Sequence, residues 1–248
     1  MDNPAFDPTR YPPALPQEPI LEIFPDVYIV HGSAKIGPGM RMNRNMIVAR
    51  QDRDLTVIGP VRLSSADESQ LDNLGTVKHV IRLGYSHGVD DRYYVERYGA
   101  EFWCQRGSYR YAMPEPSRLI EAGGRPPIAD AEFFLFKESK FPEAAVLLKR
   151  HGGILMTCDS LQHWTDWSFC TLPARLTMQL FGFSLRTLIG TFWLKAMTPK
   201  GVSLKPDFQR LLRLDFKHLI GAHGRLCRER AHEQVEAEVR RVFGSTGV

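Results

Sequence analysis

Three stretches of this 248-residue chain end an apolar run in residues that can hold a metal or move a proton. HVIRLGYSHGVDD carries His87, Asp90 and Asp91, GGILMTCDSLQHW carries Asp159 and His163, and FKHLIGAHGRL carries His223. Side chains at strand ends of α/β proteins gather along the sheet edge where ligands bind. Imidazoles and carboxylates brought there can ligate a metal or act as general acids and bases. Blander readings stay open beside this one. His87 with Asp90 and Asp91 also fits a polar loop that caps the next helix, where acids near the N-terminus are favourable. His163 follows Asp159 by four residues, so on a helix it would share a face with it as a replacement ligand or general base. A capping or surface role for His163 is the alternative. His151, in KRHGG, reads as a turn residue, and His79 and His218 read as satisfied histidines within strands.

Several elements must position these residues. ILEIF, DVYIVHG, NMIVAR and LTVIG are short runs rich in β-branched residues, set apart by Gly, Pro or charged clusters, and predict consecutive antiparallel strands. Ser64-Ser65-Ala66-Asp67-Glu68 offers hydroxyl caps and first-turn acids, so a helix is expected from there to Gly75. VKHVIRLG then predicts the strand that delivers His87, RYYVERYGA a short helix closed by Gly99, and EFWCQ a further strand. Later strands are expected at Phe133–Lys137, Ala144–Leu148, Gly153–Thr157 and Phe216–Ile220. Helices are expected at Pro173–Met197, Pro206–Leu212 and Leu226–Phe243, the last with alternating charges that suit a solvated closing helix. Tyr93, Tyr94, Tyr98, Phe102 and Trp103 are expected to pack a helix onto the sheet, while Trp164 and Trp167 are candidate pocket walls. Residues 1–20 hold six prolines (Pro4, Pro8, Pro12, Pro13, Pro16 and Pro19) and read as an extended arm or a flexible tail. Residues 21–248 read as one domain.

Composition narrows the function classes. Hydrophobic residues at 43% and charged residues at 24% describe a globular protein with an ample core. Thirty-two basic against 28 acidic residues leave a net charge of +4, and the two signs are mixed along the chain. No nucleic-acid footprint follows from that. Cys104, Cys158, Cys170 and Cys227 form no CxxC pair, which fits reduced thiols in a cytoplasmic protein. No secretory signal is visible at the start. Leu176 to Leu194 is the most apolar long stretch, yet it carries Gln179 and Arg186 and suits a buried or interface helix better than a membrane span.

The three strand-end segments, in this order, resemble the metallo-β-lactamase superfamily. That resemblance implies an α/β (α+β) fold, an αββα four-layer sandwich with a metal site between two sheets, and it covers about Glu22 to Phe243. The family's loop reads His-x-His-x-Asp-His. His87 matches its first histidine and Asp91 its aspartate, whereas Val89 and Arg92 stand where further histidines belong. Lys140 falls at the next family histidine, Asp159 at the metal-bridging aspartate and His223 at the final histidine. The resemblance thus implies a degenerate site: four ligand positions are kept and three are lost. Fixed cations about 4 Å from a divalent metal would repel it by several kcal/mol even at an effective dielectric near 20. Two metals are therefore not expected, and Arg92 and Lys140 are expected to neutralise Asp91, Asp159 and Asp90 instead.

Three functions remain open. The first is a divergent hydrolase-like enzyme with at most one divalent metal (zinc, iron or manganese) held by Asp91, Asp159 and His223, with His87, Asp91 and Asp159 as its catalytic residues. The second is a metal-free protein that binds a small anionic ligand through Arg92, Lys140 and His87, with His163 nearby. The third is a scaffold that forms a homo-oligomer through the 173–197 helical region. Neither nucleic acid nor membrane is an expected partner.

Overall fold

The computed structural model describes residues 6–108, 110, 111 and 113–244. The chain divides into two units. One runs to Ile120 and takes in Phe169–Thr171; the other takes in Glu121–Ser168 and the chain from Leu172 onward.

The first unit opens with β1 (Leu21–Phe24), β2 (Val27–Gly37), β3 (Met40–Gln51) and β4 (Asp54–Ile58), paired in sequence order as antiparallel neighbours. The β-branched runs sit on the paired stretches because their side chains pack well on a pleated surface. Asp26 and Asp52 take left-handed backbone at the turns, with φ of 64° and 56°, a conformation that Asp tolerates better than most residues. Helix α1 (Ser65–Leu74) starts where the Ser64 hydroxyl accepts the Asp67 N–H at 3.2 Å. The sheet continues in parallel with β5 (Thr76–Ile81), β6 (Glu101–Cys104) and β7 (Arg118–Leu119). Helix α2 (Asp91–Tyr98) links β5 to β6 and ends at Gly99, in left-handed conformation with φ of 62°. Leu71, Tyr93 and Tyr94 bring both helices into one core with Val30, Met46, Val80 and Phe102 of the seven-stranded sheet.

The arm before β1 is held down. Glu18 N donates to His31 O at 2.7 Å, Ser33 Oγ to Pro16 O at 3.0 Å, and Gln17 Nε2 to Asp67 at 2.8 Å. Phe6 and Tyr11 stack at 5.3 Å and both meet Tyr93 edge-on. From Phe6 onward the arm is thus an extended strap, not a tail; the part before Phe6, with Pro4, lies outside the described residues.

The second unit holds β8 (Ala131–Leu135), β9 (Ala144–Leu148), β10 (Ile154–Thr157), β11 (Leu161–His163), α3 (Leu172–Leu180), β12 (Thr187–Ile189), α4 (Thr191–Met197), α5 (Lys205–Leu211), β13 (His218–Ile220) and α6 (Ala231–Phe243). Its main sheet has the order β13-β10-β9-β8, with β10 and β13 parallel, while β11 and β12, on either side of α3 in the chain, form a separate two-stranded antiparallel sheet. Trp193, Phe208, Leu211, Val235 and Val239 from the helices share a core with Leu147, Leu155 and Leu219 of the sheet.

Two expectations fail here. The 173–197 region is not one helix: Gly182 adopts φ of 88° and β12 pairs with β11 before α4 begins. Among the described residues no helix is long and apolar enough to cross a membrane. Likewise α6 starts at Ala231 and not at Leu226, because Cys227 is taken into backbone pairing with Leu219. One acid of α6 faces inward: Glu238 is buried, accepts the Ile189 N–H at 3.1 Å, and pairs with Arg186 and Arg241.

Candidate functional site

In the first unit β5 stops at Ile81, and the next residue sets the character of the loop. Arg82 is 2% exposed; its Nε donates to Asp91 Oδ2 at 2.5 Å and its Nη1 to the Ser108 carbonyl at 2.8 Å. The guanidinium lies against the loop backbone, since a Cβ on Gly88 would fall 2.8 Å from it. Asp91 opens α2 and is 1% exposed. Burial pushes its carboxyl up from the ordinary aspartate value, and the contact with Arg82 opposes that rise. Asp90 caps α2 by position, but its Oδ2 accepts the Arg62 N–H at 3.1 Å; burial pushes its carboxyl up to about 6. His87 is buried, whereas Val89 is 55% exposed.

The expected cation partners are different from those found. Arg92 turns away to pair with Glu96 one helical turn on, and the charge that meets Asp91 is Arg82. The spacing explains it: Arg92 and Glu96 share a helix face, while Asp91 faces inward. Lys140 is exposed, with its ammonium 5.2 Å from the Phe141 ring centre.

In the second unit the parallel pair β10 and β13 does the positioning. Met156 and Ile220 are in register, and Asp159 and His223 each follow three residues later (156 + 3 and 220 + 3), so both leave the sheet at the same edge. Asp159 Oδ1 lies 3.0 Å from His223 Nε2. His223 is buried, with its ring parallel to that of Trp164 at 6.5 Å. The Trp164 Nε1–H donates to Gln162 at 2.9 Å, which fixes that indole. Glu143, just before β9, is 1% exposed and accepts the backbone N–H groups of Asp159 and Ser160, both at 3.1 Å. Burial, reinforced by the neighbouring Asp159 charge, pushes its carboxyl well above the ordinary range. The turn is close-packed: a Cβ on Gly190 would sit 2.2 Å from the Asp159 carbonyl oxygen.

His163 does not share a helix face with Asp159, because Leu161–His163 is a strand. Its Nδ1 meets Thr187 Oγ1 at 2.8 Å, Thr187 donates to Gln234, and burial holds its pKa below the usual histidine value. Asp159 and His223 are thus brought together, His163 is engaged with Thr187, and His87, Asp91 and Arg92 belong to the first unit. Arg82 and Glu143 are the buried partners of Asp91 and of the Asp159 turn that pattern reading misses. Their only signal is one charge set in or beside an apolar run, in HVIRLG and PEAAVLL.

Solved structures share the fold. A crystal structure of the DIM-1 metallo-β-lactamase superposes with a TM-score of 0.64 at 10% identity, covering 92% of this chain and 98% of that one. The chain has the metallo-β-lactamase fold. FIM-1 from Pseudomonas aeruginosa, a metallo-β-lactamase in its mono-zinc form, gives 0.63 at 9% identity over 93% of this chain and 98% of its own. A mutant flavo di-iron protein from Thermotoga maritima gives 0.59 at 14% identity, covering 92% of this chain but 62% of that one. No protein-family model matches the sequence, and comparison with curated proteins finds no match. Likeness at this level of identity establishes the metallo-β-lactamase fold and leaves the chemistry to the site itself.

Proposed function

We propose that the protein is a divergent, hydrolase-like enzyme whose chemistry centres on Asp159 and His223 and which takes at most one divalent metal. The observation that carries this reading is the 3.0 Å approach of Asp159 Oδ1 to His223 Nε2 at the shared ends of β10 and β13.

The donor set speaks against two metals. Val89, Arg92 and Lys140 stand where imidazole ligands would be needed and supply none, and Asp91 already answers the buried charge of Arg82. One metal fits better. A carboxylate oxygen and an imidazole nitrogen 3.0 Å apart can both reach a single ion through bonds of about 2.0–2.1 Å. When bound, such an ion supplies Lewis acidity toward a water or a substrate oxygen. Zinc, iron and manganese all suit one oxygen and one nitrogen donor.

The chain's own groups do the positioning. Glu143 clamps the backbone at Asp159 and Ser160, so the carboxylate is presented from a fixed turn. Trp164 lies parallel to the His223 ring with 6.5 Å between centres, a fixed apolar wall beside it. Asp159 fixes the orientation of the imidazole through Nε2, and both side chains are of types that serve as general acid or base toward an ester-like or phosphoester substrate. The alternative anion site at Arg92, Lys140 and His87 finds less support, since Arg92 is paired with Glu96 and Lys140 stands in solvent over Phe141. For the scaffold reading, the 173–197 region is divided among α3, β12 and α4.

Elemental analysis of protein purified without chelator, before and after incubation with zinc, iron or manganese, tests the proposal. The expected result is no more than one ion per chain, lost in His223→Ala and in Asp159→Ala. Two ions per chain, or a content unchanged by both substitutions, would overturn it.

A further inference from the structure

The first unit holds a cavity of about 360 Å³ that the pair at Asp159 and His223 does not use. It falls in the size range of small-molecule sites, about 300–1,000 Å³. Pro13 and Leu15 of the arm wall it on one side, and Pro60 and Val61, which follow β4, on another. The arm is bonded to Ser33 and His31, and its prolines are stiff, so this wall stands formed before any ligand arrives.

Its polar lining is Lys35, Arg44, Arg62 and Asp90. Arg62 is occupied by Glu68 and by the face of Tyr93, 3.5 Å from its guanidinium carbon. Arg44, on β3, is different. It is 9% exposed, its Nε has no hydrogen-bond partner, and among the described residues no carboxylate pairs with it. Asp90 and Asp91 feel its charge but do not bond to it. A guanidinium taken this far out of water without a contacting anion is unfavourable, and one that faces a preformed apolar cavity is placed to receive one.

We propose that this cavity binds a small organic carboxylate with an apolar body, its carboxylate paired with Arg44 and its body against the proline arm and Val61. A guanidinium fork matches a carboxylate in two parallel hydrogen bonds. Lys35, exposed at the rim, adds attraction for the same charge, while Asp90 in the lining disfavours ligands with several negative charges.

Calorimetric titration of the full chain with octanoate tests this, with octanol and inorganic phosphate as comparators. The expected outcome is one octanoate per chain, bound at least about tenfold more tightly than octanol or phosphate. Arg44→Gln should weaken octanoate by at least about tenfold. Ala34→Phe, at a half-buried wall position on β2, should abolish binding by filling the space. No saturable octanoate binding, equal binding of either comparator, or unchanged binding in Ala34→Phe would overturn the proposal. Should Arg44→Gln fail to fold by circular dichroism, Ala34→Phe and the octanol comparison decide it. Metal content is read separately, so failure here leaves the reading of Asp159 and His223 standing.

Discussion

At the residue scale, His218 shows how a buried imidazole can be committed to one protonation state. Its Nδ1 accepts the Glu229 N–H at 3.1 Å and its Nε2 faces the His151 carbonyl at 3.1 Å, so the ring fits there as the neutral tautomer carrying its proton on Nε2. Burial lowers its pKa below the free-histidine value of 6.5. Unfolded chain therefore takes up that proton at a higher pH than folded chain does. The contribution of His218 to stability is complete above about pH 6.5 and is lost as pH falls from there through its folded pKa. Thermal unfolding near pH 7.5 and near pH 5 should show a larger acid loss in the native chain than in His218→Gln, whose amide reproduces both hydrogen bonds. Equal losses would remove the imidazole as the cause. The same scale shows what sequence reading can reach. Asp159 and His223 stand out because each follows an apolar strand. Arg82, Arg44 and Glu143 do not, because a single charge in or beside an apolar run reads alike whether it is buried with a partner or turned to solvent.

At the element scale, periodicity and caps made most strands and helices legible, from the Ser64 cap of α1 to the Gly99 end of α2. The failures share a cause. Between Leu172 and Met197 apolar residues recur at spacings a helix would allow, while the backbone turns at Gly182 and lends three residues to an antiparallel pairing with β11. Pairing with a distant strand leaves no local mark, so tertiary contact overrides helical propensity there. That strand pair borders the Asp159 turn. Gly190 follows β12 and touches the turn that carries Asp159, and no side chain fits between them. Gly190→Ala should displace the Asp159 turn, lowering stability by roughly 1–3 kcal/mol and weakening metal binding in parallel. Urea unfolding combined with a metal titration checks it; lower stability with unchanged metal affinity would separate Gly190 from the site.

At the scale of the whole molecule, identities of 9–14% with the solved neighbours go with a shared metallo-β-lactamase fold. That fold was readable from the chain because His87, Asp91, Asp159 and His223 follow apolar runs in an order that resembles the family, and each unit closes its own hydrophobic core. The charge pairing was not readable, because it depends on which face of a helix or loop each residue takes. The Arg82–Asp91 pair has a bearing on any attempt to rebuild a two-metal enzyme on this scaffold. Placing histidines at 89, 92 and 140 restores the ligand types but not the ligand set, since Asp91 would still be spent on Arg82. Mass spectrometry of that triple variant should find no more than one ion per chain; a second would mean that the guanidinium yields to metal. Removing Arg82 first strands a buried carboxylate, at a cost on the order of 3–5 kcal/mol. Reversal therefore has a preferred order of steps: new ligands must come before the arginine goes, and the intermediates gain nothing until the last change is made.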